Sequence, residues 1–251
     1  MGLKSFFRNI VKKSVSEKQY EKLKSFFSYD NKFFRNLASA IHFDDLNKLA
    51  TIHKTDKWNL HWYTQHYQKH FEHLKNKKIN LLEIGVGGDE DTQKGGNSVR
   101  MWKAFFPYAN IFALDLHDKS KHNEKRIKIF QGDQSDVTFL QNVVKQIGEV
   151  DIIIDDGSHI NEHVLVTFKT LFPLLKKGGI YVIEDTQTSY WPNYGGHLSD
   201  FNHPDTMLTF FKSLTDSLNH KDFRIPNYQP SYHDLNITSM HFYRNLVVIY
   251  K

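Results

Sequence analysis

Two short stretches carry the residue types best able to do chemistry. Asp155-Asp156-Gly157-Ser158-His159 follows one apolar run, and Glu184-Asp185 closes the next. If both runs are parallel strands of one sheet, their ends open on the same side, about 5 Å apart for neighbours. Asp156, Glu184 and Asp185 then meet as three packed carboxylates. Such a group is costly unless some members take up protons or a cation sits among them. All-oxygen ligands completed by water suit magnesium best among divalent ions. His159 lies three residues after Asp156 on the same loop. A neutral imidazole beside a cation can take the proton of a hydroxyl whose acidity the cation has raised, so His159 is the candidate general base. Asp155, next to the turn of the first strand, is assigned to the cofactor side instead.

The elements that must position these residues are legible from residue 79 onward. Apolar runs at 79–86, 110–115, 127–133, 150–156 and 180–185 each end in acidic or glycine residues, with helical stretches at 98–106, 137–146 and 162–175 between them. The last stretch is read as stopping at Gly178-Gly179. Near-continuous apolar strands alternating with helices predict a parallel sheet covered on both faces, wound in the right-handed sense. Runs 237–243 and 246–250 are separated only by Arg244-Asn245, which allows a hairpin and no crossover. The expected fold is α/β and Rossmann-like, of the class I methyltransferase type. Its sheet is mostly parallel, seven-stranded and closed by an antiparallel hairpin. Residues 1–75 form a small helical N-terminal region before a catalytic domain at 76–251.

Leu82-Glu83-Ile84-Gly85-Val86-Gly87-Gly88 puts glycines at the carboxyl end of the first strand, where the chain turns and a ligand can approach the backbone. By itself this loop is compatible with NAD. Three features favour S-adenosylmethionine: Glu83 within the strand suits a cationic amino acid, the third phosphate-loop glycine is missing, and Asp89, Glu90 and Asp91 would repel a pyrophosphate. Asp115 ends the second strand, where a carboxylate can accept from both ribose hydroxyls, although the same is true for NAD. Gln131-Gly132-Asp133-Gln134 ends the third, within reach of an adenine edge. The cofactor set is therefore Glu83, Gly85, Gly87, Asp115, Gln131, Gly132, Asp133 and Asp155; the metal set is Asp156, Glu184 and Asp185.

Composition narrows the field further. The 251 residues contain no cysteine, which excludes disulfides and thiolate chemistry. No apolar run reaches a membrane-spanning length and no signal-peptide core is evident, so a cytoplasmic location is expected. The net charge of +5 is uneven, with 14 Lys/Arg against 7 Asp/Glu in residues 1–75 and 19 against 21 in the rest. The acidic part is the part that looks catalytic, which argues against a nucleic-acid substrate. Phe6, Phe7, Ile10, Val11 and Val15 share a helical face ringed by basic residues. Peripheral membrane contact through residues 1–15 is one reading, and a packing or oligomer-contact helix is the favoured one. Further helical runs are read at 17–27 and 33–40. His66 and His70 are spaced for zinc, yet Trp62, Tyr63, Tyr67 and Phe71 around them favour an aromatic packing face.

Taken with Gly95-Gly96-Asn97-Ser98, Phe130–Asp136 and Ile183–Trp191, these motifs resemble the macrocin and mycinamicin sugar O-methyltransferases, over about three quarters of the chain from Lys54-Thr55-Asp56-Lys57 to the terminal hairpin. The resemblance implies S-adenosylmethionine and magnesium as cofactors, with Asp156, Glu184 and Asp185 as ligands and His159 as base. It also implies a sugar acceptor whose vicinal hydroxyls chelate the metal, and an active-site mouth near residues 55–63. A homo-oligomer is expected. Residues 1–50 differ from the larger N-terminal domain of the antibiotic enzymes, so the acceptor, a natural-product glycoside or a polysaccharide precursor, stays open. The loop Tyr190–His197 suits sugar stacking or plain packing. The residues also leave room for a catechol or phenolic O-methyltransferase, whose acceptor chelates magnesium equally well, and for a non-catalytic cofactor- or RNA-binding relative.

Overall fold

The computed structural model describes residues 16–19 and 28–251. The amphipathic stretch at 4–15 and most of the run at 17–27 lie outside the described residues. Seven strands form one sheet in the order β3-β2-β1-β4-β5-β7-β6, comprising β1 (Asn80–Ile84), β2 (Asn110–Asp115), β3 (Ile127–Gln131), β4 (Val150–Asp155), β5 (Leu175–Glu184), β6 (Ser239–Tyr243) and β7 (Leu246–Tyr250). The first five strands are parallel, and β7 runs antiparallel to both β5 and β6. The hairpin turn is the expected Arg244-Asn245 pair, with Asn245 in the left-handed region that such a tight turn requires.

Eight helices are described in full: α1 (Lys32–Ile41), α2 (Leu46–His53), α3 (Thr64–Phe71), α4 (Asn97–Phe105), α5 (Val137–Ile147), α6 (Asn161–Leu171), α7 (Met207–Ser213) and α8 (Tyr232–Asn236). Side-chain oxygens of Asn31, Asp45 and Asp136 cap α1, α2 and α5 by accepting from early backbone N–H groups. Alternate residues of the buried strands face opposite sides and split the core in two. Leu81, Ile111, Ile152 and Val182 meet Leu49, Tyr63, Tyr67, Phe71 and Trp102 on one face. Leu82, Ile153, Tyr181 and Ile183 meet Leu140, Phe168, Phe172 and Phe211 on the other. Helices from Leu46 onward thus share the core of the sheet.

One element differs from its sequence reading. The helix that was to run to 175 stops at Leu171, and Gly178-Gly179 lies inside β5 rather than capping that helix. The pairing of β4 with β5 shifts register between Val150 and Ile152. Gly178, at φ +78°, turns the chain there and donates to Lys251 O at 2.8 Å. A glycine pair after an apolar helix satisfies a helix stop and a strand bulge equally well, and only the pairing with β7 decides between them.

Candidate active site

The carboxyl ends of β1, β2, β3 and β4 surround a cavity of about 670 Å³. Its walls include Gly85, Gly87, Asp115, Gly132, Asp133, Asp156, His159 and Asp185. The glycine loop is built as anticipated: Gly85 and Gly87 have φ of +90° and +75°. A Cβ on Gly85 would lie 2.1 Å from Asp156 O, whereas one on Gly87 would meet nothing within 4 Å. Gly85 therefore lets two loops touch, while Gly87 keeps open space beside the cavity. Lys119, almost wholly buried, donates to the carbonyls of Asp89 and Asp91 at 2.7 and 2.9 Å and so holds the acidic loop in shape.

Asp115 Oδ2 accepts from Val86 N at 2.9 Å and Oδ1 from His117 N at 2.9 Å, fixing the carboxylate at the cavity edge. Gln131 is exposed and lies outside the cavity wall. Asp133 lines it, held by Ser135 N and Oγ, both at 2.8 Å; these hydrogen bonds keep its carboxyl below the ordinary carboxylate range. Gln134 does more than a loop residue need do. Buried, it donates to Asp155 Oδ1 at 3.3 Å and accepts from Ser158 N at 2.6 Å, tying the β3 loop to the β4 loop. Asp155 is buried, with Oδ2 lacking any hydrogen-bond partner, and burial pushes its carboxyl up to about 7.

Glu83 does not line the cavity. It is fully buried and accepts from Ser98 Oγ at 2.8 Å and Trp102 Nε1 at 3.0 Å, and burial pushes it up to about 7. Lys57, 1% exposed, reaches into the same place: its Nζ lies 2.6 Å from Asp156 Oδ2, 2.6 Å from Glu184 Oε1 and 3.6 Å from Glu83 Oε1. Burial opposes the charge on Lys57, but the three carboxylates hold its ammonium well above its ordinary range. Tyr67 OH donates to the same Oε1 of Glu184. Burial and the Asp156 charge push Glu184 up, against Lys57 and Tyr67.

Among the described residues, Asp156, His159 and Asp185 form one group of metal-ligating side chains, each offering an atom within 4.8 Å of the others. His159 Nε2 is 3.5 Å from Asp185 Oδ2 and 4.0 Å from Asp156 Oδ1. Two carboxylate oxygens with an imidazole beside them fit a hard divalent cation. Glu184 stands behind this group, its Oε1 engaged by Lys57 and Tyr67. His159 and Asp185 both adopt left-handed backbone, at φ +57° and +52°. Non-glycine residues rarely hold this conformation without support. Here Thr188 Oγ1 donates to His159 O at 2.8 Å, and Tyr63 OH donates to Asp185 Oδ1 at 2.7 Å. Burial raises the Asp185 carboxyl, but Tyr63, His159, Gln187 and His61 outweigh it and hold the group below its ordinary value. His61 Nδ1 lies 3.4 Å from Asp185 Oδ1, so Asp185 stands between two histidines.

Lys57, His61, Tyr63 and Tyr67 are the site's unforeseen members. The sequence places residues 55–63 near the mouth and reads Tyr63 and Tyr67 as aromatic packing, but no spacing rule singles out one lysine among 33 Lys/Arg as the partner of distant acids. His70 binds through both ring nitrogens, to Tyr250 OH at 2.8 Å and Tyr243 OH at 2.9 Å, and His66 stacks on Tyr243. These rings pack α3 against the hairpin. Tyr190 and Trp191 are exposed beyond Asp185.

Residues 32–186 match the family described as Methyltransferase domain. The chain belongs to the methyltransferase domain family. It is similar to mycinamicin VI 2''-O-methyltransferase of Micromonospora griseorubida, 46% identical over 82% of this chain and 52% of the relative. It is also similar to demethylmacrocin O-methyltransferase of Streptomyces fradiae, 45% identical over 82% of this chain and 53% of that one. The chain spans about half the length of the curated relatives it matches. Among solved structures, a methyltransferase of the mycinamycin pathway in complex with Mg and SAH superposes with a TM-score of 0.80 and 45% identity, over 82% of this chain and 54% of that one. The family bears out the sequence reading of a Rossmann-like methyltransferase with an antiparallel end to its sheet. No helix among the described residues is long and apolar enough to cross a membrane.

Proposed function

We propose that this chain transfers the methyl group of S-adenosylmethionine to a sugar hydroxyl, with a divalent cation, magnesium in the first instance, at Asp156, Glu184 and Asp185. The observation that carries the reading is the meeting of Asp156, His159 and Asp185 on one wall of the glycine-loop cavity. Similarity to O-methyltransferases of macrolide sugars, and to one solved with Mg, SAH and mycinamycin VI, supports the acceptor class.

When bound, S-adenosylmethionine would supply an electrophilic methyl group and leave as S-adenosylhomocysteine, and a divalent cation would supply Lewis acidity toward the acceptor. The chain does the rest. Asp115, Gly87 and Asp133, which line the cavity, would hold the cofactor, with Gln134 and Asp155 bracing the loops between them. His159 Nε2 takes the acceptor proton, and Tyr63 fixes Asp185 so that its Oδ2 faces that imidazole. Catalysis here is chiefly positioning plus deprotonation. On α1, Phe33, Leu37 and Ile41 are 68%, 48% and 63% exposed at four-residue spacing, which supports a homo-oligomer contact through the N-terminal helices.

Calorimetry with S-adenosylhomocysteine, with and without magnesium, followed by methyl-transfer assays on glycosides, nucleotide sugars and catechols, tests the reading. Methylation of a glycoside or nucleotide sugar, lost on chelation with EDTA, is the expected result. Turnover that survives EDTA would sink the metal role; turnover of catechols alone would replace the sugar with a phenolic acceptor.

A further inference from the structure

None of the acids described above lines a further cavity of about 680 Å³, which lies between α1, α2, α4 and the start of β3. Its wall is basic. Lys32 and Arg35 come from α1, Arg100 and Lys103 from α4, and Arg126 from the residue before β3; among the described residues Glu124 is the one acid there. Glu124 Oε1 is shared between Arg100 Nε at 3.7 Å and Lys103 Nζ at 3.3 Å. Arg100 Nη1 donates to Gly96 O at 2.9 Å, and Arg126 donates to Ala109 O at 2.8 Å and Lys103 O at 2.9 Å. These carbonyls fix the two guanidinium groups without neutralising them. Arg35 is held differently. Its Nε is buried and has no hydrogen-bond partner among the described residues. A buried charged donor without an acceptor is costly. The field reaches the neighbouring ring: burial, then Arg35 and Arg100, lower His53 to about 4.

We infer that this cavity is a binding site for a multiply charged phosphate ligand, of which pyrophosphate is the simplest form. The inference does not rest on the methyl-transfer reading. Five cations facing one acid leave a positive surplus that a single carboxylate would not balance, and guanidinium forks match the oxygens of a phosphate. An oxygen beside Arg35 Nε gives that donor its acceptor. Phe43 and Tyr108, both exposed on the same wall, offer ring faces to a base if the phosphates arrive on a nucleotide. Arg35 and His53 also line the cleft that passes Gly87 and reaches Asp156, so a ligand held by Arg35 fixes the α1 side of that cleft.

Equilibrium dialysis of the metal-free full chain against radiolabelled pyrophosphate, with EDTA present and at low ionic strength, tests the inference. The wild-type chain is expected to take up one pyrophosphate with a Kd below about 1 mM. Arg35→Gln and Lys103→Gln leave the backbone contacts of Arg100 and Arg126 in place. Each should weaken binding roughly 10- to 100-fold, the worth of a hydrogen bond to a charged group. Glu124→Gln, which removes the acid, should tighten it. Lys177→Gln removes the same charge at an exposed position of β5 and should leave the Kd unchanged. Competition with uridine diphosphate then separates the sources: displacement at lower concentration than unlabelled pyrophosphate assigns the site to a nucleotide, and displacement only at higher concentration assigns it to free pyrophosphate. A wild-type chain that takes up none below about 1 mM overturns the inference. Equal losses in Arg35→Gln and Lys177→Gln overturn it too, since net charge alone then accounts for the binding. Neither result touches the methyl-transfer reading.

Discussion

Replacing Gly85 by alanine separates the two tasks of the glycine loop. The new Cβ would sit 2.1 Å from Asp156 O, 2.8 Å from Asp156 C and 3.1 Å from Gly157 Cα. Ordinary contact begins at 3.4 Å, so the Asp156 backbone must retreat by roughly 1.3 Å. The φ of +90° adds left-handed strain of about 1–2 kcal/mol for any residue with a Cβ, and overpacking a further 1–3 kcal/mol or so. Gly87→Ala is the internal control. It carries similar left-handed strain at φ +75°, but its Cβ meets no protein atom within 4 Å. The difference between the two variants therefore isolates the collision with Asp156. Displacing a catalytic group by about 1 Å can cost on the order of 100-fold in rate. Gly85→Ala should lose that much in kcat and bind magnesium more weakly, with a lower melting temperature than Gly87→Ala. Gly87→Ala should chiefly raise the Kd for S-adenosylhomocysteine. Thermal melts, metal titration and methyl-transfer rates on both proteins decide the matter. The reasoning fails if Gly85→Ala matches Gly87→Ala in both melting temperature and metal affinity.

Two further outcomes follow from the same geometry. His159→Ala should lower kcat by about 10²- to 10⁴-fold, the usual worth of a general base, while Mn²⁺ affinity stays close to wild type; a parallel collapse of Mn²⁺ binding would make His159 a ligand instead. Acid should withdraw the stability that His53 and His70 contribute. Burial, then Arg35 and Arg100, lower His53 from 6.5 to about 4, and burial, then His241 and Lys69, lower His70 equally far. The unfolded chain takes up these protons below about pH 6.5 while the folded chain refuses them until about pH 4. Their contribution is thus full above that window and falls through it, by about 2 kcal/mol per histidine at pH 5, whereas Glu83 and Asp155, which burial pushes up to about 7, contribute in the opposite sense over the same range. Urea denaturation of wild type and His70→Phe at pH 7 and pH 5 isolates the histidine: the stability change on going to pH 5 should be about 2 kcal/mol less unfavourable in the variant, and equal changes in the two proteins would refute the assignment.

The sheet was legible in the chain because its strands are short, apolar and bounded by glycine or acid, and because Arg244-Asn245 leaves room only for a hairpin. Parallel strand ends must open on one side, so the sequence places Asp156, Glu184 and Asp185 together with His159 beside them. Local pattern was ambiguous at Gly178-Gly179, where a helix stop and a strand bulge demand the same residue type. It also could not divide the acids by depth. Glu83 and Glu184 look from the sequence like Asp115 and Asp185, all ending or nearly ending strands. The strand pleat and the covering helices send Glu83 to Trp102 and Ser98 beneath the glycine loop, and bring Glu184 to Lys57 and Tyr67. Lys57 is 99 residues from Asp156 and 127 from Glu184, so nothing in local spacing links them. The sequence by itself determined which strand ends carry chemistry, since alternation and topology are local properties read along the chain. Only the tertiary structure decided which carboxylates face the cavity and which are neutralised behind it, because burial and charge pairing depend on the residues that packing brings from elsewhere.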